Sequence, residues 1–194
     1  MSVSRETARC LEHYTALIRH WNRAINLVSR ADLEHFQQRH IEDSLQLVEL
    51  NADPGSDWAD LGSGGGLPGV VAACALKGKA TKVTLVESDR RKATFLQRTV
   101  ADLGLAARVI CARAEAVEPL AASTVSARAL APLPLLLSYA SRHLATDGVA
   151  FFPKGASWND ELADARAAWV FDLAVHPSRT GNGVILEVRD LHAR

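Results

Sequence analysis

The 194-residue sequence contains no pattern typical of a membrane span or a signal peptide. No uninterrupted apolar run is long enough to cross a bilayer, and the first ten residues contain no apolar core of a signal peptide. We therefore expect a cytoplasmic protein without membrane contact. A chain of this length forms one domain, or one domain with an extension, and can bury a proper hydrophobic core.

The sequence contains only three cysteines, and their spacing does not indicate a pair. Cys10, Cys74 and Cys111 are an odd number, lie far apart, and include no pair separated by two residues. Such spacing is typical neither of a disulfide framework nor of a metal site. We expect all three thiols to be reduced and mostly buried, as free cysteine usually is, and we expect no metal ion.

The chain also lacks net charge, since 22 basic residues balance 22 acidic ones. Its overall composition therefore does not indicate a nucleic-acid partner. The distribution does, because residues 77–113 contain nine basic residues and only three acidic ones. This segment is either an ordinary solvated face or a patch that contacts phosphates. In the second case Arg90, Arg91 and Lys92 are candidate contacts.

The hydrophobic pattern changes along the chain from helical to alternating. Apolar spacing predicts helices over 4–21 and 32–49, the second with Asp32 as its N-cap, followed by a break at 53–56. Strands are then predicted near 57–61, 82–87, 108–112, 124–128, 148–152, 170–175 and 183–188, with helices between most of them. Repeated β-α units indicate a parallel sheet, and the short final loop indicates an antiparallel closing strand.

We therefore predict an α/β fold in two parts. Residues 1–53 form an N-terminal helical extension, and residues 54–194 form a Rossmann-like domain around a mostly parallel seven-stranded sheet.

A glycine-rich turn after the first strand is the most informative segment. Asp60, Gly62, Gly64 and Gly66 alternate with other residues in the acidic-x-Gly-x-Gly-x-Gly pattern of S-adenosylmethionine-dependent methyltransferases of the Rossmann-like class. The turn also satisfies the G-x-G-x-x-G dinucleotide fingerprint, ending at Gly69. The acid favours a methyltransferase, which must hold the ammonium of a methionine moiety. A dinucleotide-binding or non-catalytic module remains the alternative.

Two further strand ends carry polar groups suited to this cofactor. Glu87 ends the second strand, where an acid would accept hydrogen bonds from both ribose hydroxyls. Ala114 and Glu115 follow the third strand, where backbone amides could bond the adenine ring and the Glu115 carboxylate its exocyclic amine.

Arg128 ends the fourth strand, which in this class of sheet faces the transferring methyl. No Asn/Asp-Pro-Pro-Tyr motif for an exocyclic amine stands there, and no Pro-Cys nucleophile for pyrimidine C5. Arg128 is a permanent cation and cannot act as a general base. It pairs with the cofactor carboxylate, donates to a substrate acceptor, or forms a structural salt bridge.

Three other polar residues leave their roles open. His40 and Asp43, one helical turn apart, are more often a structural pair than a catalytic one. Lys154, after the fifth strand, is either a nucleic-acid contact or an unpaired surface lysine.

Six stretches occur in the order typical of one bacterial family: residues 21–27, 39–45, 60–69, 113–115, 126–129 and 154–155. On these stretches, within residues 14–155, the chain resembles ribosomal RNA small subunit methyltransferase G, also called glucose-inhibited division protein B. The resemblance implies a class I methyltransferase that methylates N7 of a guanine in 16S ribosomal RNA. It implies S-adenosylmethionine contacts at Gly62, Leu67, Ala114, Glu115 and Arg128.

The family usually ends in a basic, aliphatic strand, whereas residues 181–189 here carry Glu187 and a Gly-Asn-Gly turn, so an RNA contact from this strand is not expected on the resemblance. The chemistry suits the residues present, because guanine N7 has a lone pair and no proton to remove. Orientation of the two reactants can then lower the barrier by roughly 7–11 kcal/mol. The basic segment and the helical extension disfavour a small-molecule methyltransferase. We expect a monomer whose partner is 16S rRNA.

Overall fold

Seven strands form one sheet in the computed structural model, which describes residues 3–194. They are β1 (Asp57–Leu61), β2 (Lys82–Val86), β3 (Ala107–Ile110), β4 (Ala122–Ser126), β5 (Leu144–Lys154), β6 (Trp169–Pro177) and β7 (Val184–Ala193). Their order is β3-β2-β1-β4-β5-β7-β6. The first five pair in parallel, whereas β7 is antiparallel to both β5 and β6. The predicted mostly parallel sheet with an antiparallel closing strand is confirmed.

The helices between the strands also match the predicted alternation. They are α4 (Gly69–Ala75), α5 (Arg90–Leu103), α6 (Leu133–His143) and α7 (Leu162–Ala168). Gly104 ends α5 with a φ of +57°, a left-handed conformation that glycine adopts without steric strain. Within residues 3–194 no helix is long and apolar enough to cross a membrane.

The N-terminal segment contains one predicted helix and one that the structure divides. Helix α1 (Arg5–Trp21) begins after Ser4, whose side chain accepts a hydrogen bond from the Thr7 amide. The predicted helix over 32–49 is instead α2 (Arg30–Glu34), a π-helical turn (Gln37–Glu42) and α3 (Asp43–Leu50). Asp32 as N-cap is wrong. Ser29 caps α2 and accepts from the Asp32 amide at 3.1 Å, because the helix begins earlier than predicted, at Arg30, and Asp32 lies in its first turn.

Apolar side chains fill both faces of the sheet. One cluster joins Trp58, Leu85 and Phe151 of the strands to helices α1, α3, α4 and α5. The other joins Ala59, Phe152 and further strand residues to α6 and α7. Because side chains alternate along a strand, neighbouring residues enter opposite clusters. The N-terminal helices therefore share a core with the sheet, and the predicted division after residue 53 stays a prediction.

The expected reduced state of all three cysteines is wrong for two of them. Cys10 on α1 and Cys74 on α4 form a disulfide, with their Cα atoms 5.9 Å apart. Cys111 is free and exposed, so it is not buried as expected. The pairing spans 64 residues and depends on how α1 packs on α4, which cysteine spacing alone does not show.

Candidate active site

The turn between β1 and α4, which is the predicted cofactor turn, contains glycines in left-handed conformations. Gly62, Gly64 and Gly66 all have positive φ, at +66°, +56° and +97°. A Cβ added at Gly64 would meet only the Gly62 carbonyl oxygen, at 3.8 Å, so the space beside this residue is open. Leu67, by contrast, is buried, and its side chain belongs to the core. The geometry permits a ligand to approach the backbone at Gly64 closely.

Asp60 lies wholly beneath this turn. Its Oδ1 accepts from Ser126 Oγ at 2.7 Å, and its Oδ2 accepts from the Gly69 amide at 3.1 Å. Burial raises the pKa of the carboxyl to about 6. The side chain is 0% exposed. Its two hydrogen bonds tie β1 to β4 and to the start of α4. A direct contact between Asp60 and a cofactor stays a prediction.

Glu87 stands at the end of β2 beside the same turn. Its Oε2 accepts from the Gly64 amide at 2.7 Å, and its Oε1 accepts from the Asp89 amide at 2.7 Å. Each carboxylate oxygen has a second lone pair, so these bonds leave capacity for further donors. The acid is thus fixed next to the glycine turn, and its predicted bonds to ribose hydroxyls stay a prediction.

A tyrosine of the N-terminal helix holds the turn from the other side, which the sequence reasoning missed. Tyr14 donates from its hydroxyl to the Gly65 carbonyl oxygen at 2.6 Å. Tyr14 is fully buried, and this burial raises the pKa of its hydroxyl far above the ordinary value. The signal was present, because a buried tyrosine in an apolar helical stripe needs a partner for its hydroxyl.

The predicted adenine contacts follow β3. Ala114 is buried at the start of a short 3-10 turn (Ala114–Ala116), and its carbonyl oxygen lies 2.8 Å from His143 Nε2. Glu115 is exposed. Because β3, β2, β1 and β4 are neighbours and parallel, the structure brings residues 114–115, 87, 60–67 and 128 to one edge of the sheet.

Arg128 at the end of β4 is held by the N-terminal segment. Its Nη1 lies 3.5 Å from Asp43 Oδ2, and its side chain is 18% exposed. The other Asp43 oxygen accepts from Thr180 Oγ1 at 2.8 Å, in the loop between β6 and β7. His40 and Asp43 therefore do not form the expected mutual pair, since neither ring nitrogen of His40 has a hydrogen-bond partner within residues 3–194.

The basic segment 77–113 is divided between two edges of the sheet. Arg90 and Arg91 are exposed and Lys92 half-buried in the first turn of α5, directly after β2, at the edge with the glycine turn. Helix α4 runs back along the sheet, so residues 77, 79 and 82 lie at the opposite edge. The segment is not one continuous patch, and phosphate contacts by residues 90–92 stay a prediction.

Lys154 is not an unpaired surface lysine. Its Nζ lies 2.8 Å from Glu161 Oε2, and its side chain is 13% exposed. The Glu161 carboxylate also accepts a hydrogen bond from the Leu133 amide. The ion pair thus links the end of β5 to the start of α6, and a contact of Lys154 with RNA stays a prediction.

Comparison with solved structures defines the class of fold. The chain superimposes on a methyltransferase from Geobacter sulfurreducens with a TM-score of 0.60 at 18% identity, over 93% of this chain and 88% of that one. A variant of MtNAS in complex with S-adenosylmethionine gives 0.62 at 17% identity, over 95% and 76%. The fold is that of class I S-adenosylmethionine-dependent methyltransferases.

Sequence comparison defines the family. A family model described as rRNA small subunit methyltransferase G matches residues 7–182. The chain is 47% identical over 193 residues to a relative of that name from Paracoccus denitrificans, covering 98% of both chains. It is 48% identical over 192 residues to one from Cereibacter sphaeroides, covering 97% and 92%. The chain belongs to the rRNA small subunit methyltransferase G family, as the resemblance predicts.

Proposed function

We propose that this chain transfers the methyl group of S-adenosylmethionine to N7 of a guanine in 16S ribosomal RNA. One observation carries the proposal: four neighbouring parallel strands end at one edge with the glycine turn, Glu87, the 114–116 turn and Arg128. Ligands of open α/β sheets bind outside the carboxyl ends of the strands. The family membership supports the activity, and the relatives' names support the RNA substrate.

The residues at this edge fit the cofactor, which supplies an activated methyl group when bound. The open space beside Gly64 admits a ligand close to the backbone. Glu87 holds a carboxylate with spare lone pairs at the neighbouring strand end. Ala114 and Glu115 offer backbone amides at the next one. We assign these three positions to the methionine, ribose and adenine parts of the cofactor.

No general base is needed in this reaction, because guanine N7 carries a free lone pair. The protein has to hold N7 in line with the methyl carbon and sulfur and to exclude water. Arg128 is suited to orientation, since Asp43 fixes its guanidinium while most of its N–H donors remain for a ligand.

Two measurements distinguish the possible roles of Arg128. If Arg128 binds the cofactor carboxylate, Arg128→Ala should weaken binding of S-adenosylhomocysteine about ten- to a hundredfold, since a charge-assisted hydrogen bond contributes roughly 1.5–3 kcal/mol. If it contacts guanine, that affinity should hold while single-turnover methyl transfer falls. Native affinity and native transfer together would leave Arg128 structural.

The RNA side of the site is proposed on charge. Residues 90–92 stand on the site edge, close to Glu87 and the glycine turn, and a positive edge favours RNA phosphates. The enzyme would act as a monomer in the cytoplasm, where the small ribosomal subunit is present.

The deciding experiment is methylation of 16S rRNA by the purified chain, read by mass mapping of the product. The same mapping on rRNA from a strain lacking this protein should show one guanine without its N7 methyl group. Calorimetry distinguishes the methyltransferase from a dinucleotide-binding module. If the chain binds NAD(H) but does not bind S-adenosylhomocysteine, the proposal is overturned.

A further inference from the structure

Three arginines of the N-terminal segment surround one hollow of the surface. Arg19 lies in the last turn of α1, Arg23 follows two residues after that helix, and Arg30 is the first residue of α2. All three are exposed, and the hollow that they line has a volume of about 870 Å³. The other residues that line it are uncharged. We call these three residues the N-terminal arginine cluster.

Helix α1 carries the cluster to the edge of the sheet that holds the proposed cofactor contacts. The helix starts at the opposite edge, where Glu6 lies 3.8 Å from Lys77. It ends at Trp21, whose ring meets Phe95 of α5 edge-on with 5.7 Å between the centroids. Phe95 follows residues 90–92 by about one helical turn. The cluster and residues 90–92 therefore lie at the same edge.

The chain between α1 and α2 is fixed against the glycine turn. Asn22 Oδ1 accepts from the Leu27 amide at 2.8 Å and from the Val28 amide at 3.0 Å, and Asn22 Nδ2 donates to the Val28 carbonyl oxygen at 3.0 Å. Leu27 is buried, and a Cβ added at Gly65 would lie 3.4 Å from the Leu27 Cβ and from its carbonyl oxygen. A loop ordered in this way presents its arginines at a small entropic cost on binding.

The charges of the cluster are not neutralised by the protein. Within residues 3–194 no carboxylate lies within 4.0 Å of these three guanidinium groups, although five other arginines form ion pairs. The sequence has no acidic residue between Glu12 and Asp32. Grouped like charges repel one another and attract a polyanion. S-adenosylmethionine carries no phosphate, so its site does not need these cations.

We propose that the N-terminal arginine cluster binds phosphates of the 16S rRNA backbone next to the target guanine. The proposal rests on the proposed function and extends its RNA-binding surface from residues 90–92 to the N-terminal segment. A guanidinium can donate two parallel hydrogen bonds to one phosphate, which a lysine ammonium cannot match. RNA that places a guanine at this edge must pass the surface around the glycine turn, where the cluster lies.

The test is the triple variant Arg19→Gln, Arg23→Gln and Arg30→Gln. Its affinity for a 16S rRNA fragment that the wild type methylates should fall at least about tenfold. The slope of log affinity against log KCl concentration should decrease by about 0.7–0.9 for each lost contact, and thus by about two to three units. Affinity for S-adenosylhomocysteine and the melting temperature should stay close to those of the wild type, because no protein group loses a partner.

A matched control removes the same charge from the opposite edge. Arg5, Arg9 and Lys79 are exposed, and we expect the variant Arg5→Gln, Arg9→Gln and Lys79→Gln to keep the wild-type RNA affinity and salt slope. Wild-type RNA affinity and slope in the cluster variant, or equal losses in the control, would overturn the proposal. It would also be overturned if the wild type bound phosphatidylglycerol vesicles more tightly than RNA and the cluster variant did not. A wild type that neither binds nor methylates 16S rRNA would instead overturn the proposed function, and the methylation assay distinguishes that outcome.

Discussion

The hydrogen bond from Tyr14 to the glycine turn predicts that the N-terminal helix α1 affects cofactor binding. Tyr14 donates to the Gly65 carbonyl oxygen at 2.6 Å, across 51 residues of sequence, and both residues are buried. Tyr14→Phe removes one oxygen atom and leaves the aromatic packing in place. The Gly65 carbonyl then has no tyrosine donor, and water does not readily reach it.

The magnitude follows from that burial. Losing one partner of a buried hydrogen bond costs about 1–3 kcal/mol of the free energy of unfolding, since the remaining group stays desolvated. In a protein of this size, each kcal/mol lowers the melting temperature by about 2–4 °C. The turn that Tyr14 releases also carries Gly64, so affinity for S-adenosylhomocysteine should weaken together with stability.

Urea unfolding and calorimetry with S-adenosylhomocysteine measure the two effects. The chain has one other tyrosine, Tyr139, which is only half-buried, so Tyr139→Phe is the matched control for stability. Partial burial, and then the negative charge of the exposed Glu115, raise the pKa of its hydroxyl, and no buried group is left without a partner when this half-buried hydroxyl is removed. We expect Tyr139→Phe to have the stability of the wild type. If Tyr14→Phe also has the wild-type free energy of unfolding and the wild-type affinity for S-adenosylhomocysteine, the glycine turn does not depend on α1.

Three further predictions concern the turn, the basic edge and the buried acid. Gly64→Val should abolish cofactor binding in calorimetry while the fold survives. Gly78→Val, which also has a positive φ and open surroundings but lies at the opposite edge of the sheet, should strain the backbone without affecting the site. Neutralising residues 90–92 should weaken RNA binding and reduce its salt slope by about one unit or less per lost contact, whereas neutralising residues 77, 79 and 82 should not. Because burial raises the pKa of Asp60 from 3.8 to about 6, the folded state binds the extra proton, so ionisation of Asp60 lowers the free energy of unfolding as pH rises through this window. Urea unfolding from pH 4 to 7 should show wild type losing up to about 3 kcal/mol relative to Asp60→Asn, and parallel curves would contradict this.

The sheet could be predicted because its signals are local. Each strand is a short apolar run bounded by turn residues, and each central helix follows with its own caps, as Asp89 and Gly104 show for α5. Parallel order then follows from the alternation of strands and helices. The same topology explains why Glu87 and Arg128 reach one edge although 41 residues separate them in the numbering. The glycine motif and the predicted topology therefore indicate the same edge of the sheet, and neither depends on a side-chain contact.

The N-terminal segment was predicted less well because its structure depends on distant partners. Ser29 and Asp32 are both acceptable caps, so local preference did not decide where the helix begins. The Cys10–Cys74 bond, and the His40 nitrogens that have no partner within residues 3–194, arise from packing between segments far apart in the sequence. Periodicity identifies a helix and its apolar face, but it does not identify which turn of another helix that face meets.

Those distant contacts connect the N-terminal helices to the proposed active site. Asp43 connects α3 to Arg128 across 85 residues and to Thr180 across 137, while Tyr14 connects α1 to Gly65. Two of these contacts end at the proposed methyl-transfer site, on Arg128 and Gly65, and the third ends on the loop between β6 and β7. A helical segment that only covered the sheet would need apolar contacts alone. Because this one contacts the Gly65 carbonyl of the glycine turn and the Arg128 guanidinium, we expect it to influence the geometry in which N7 meets the methyl group at the proposed site.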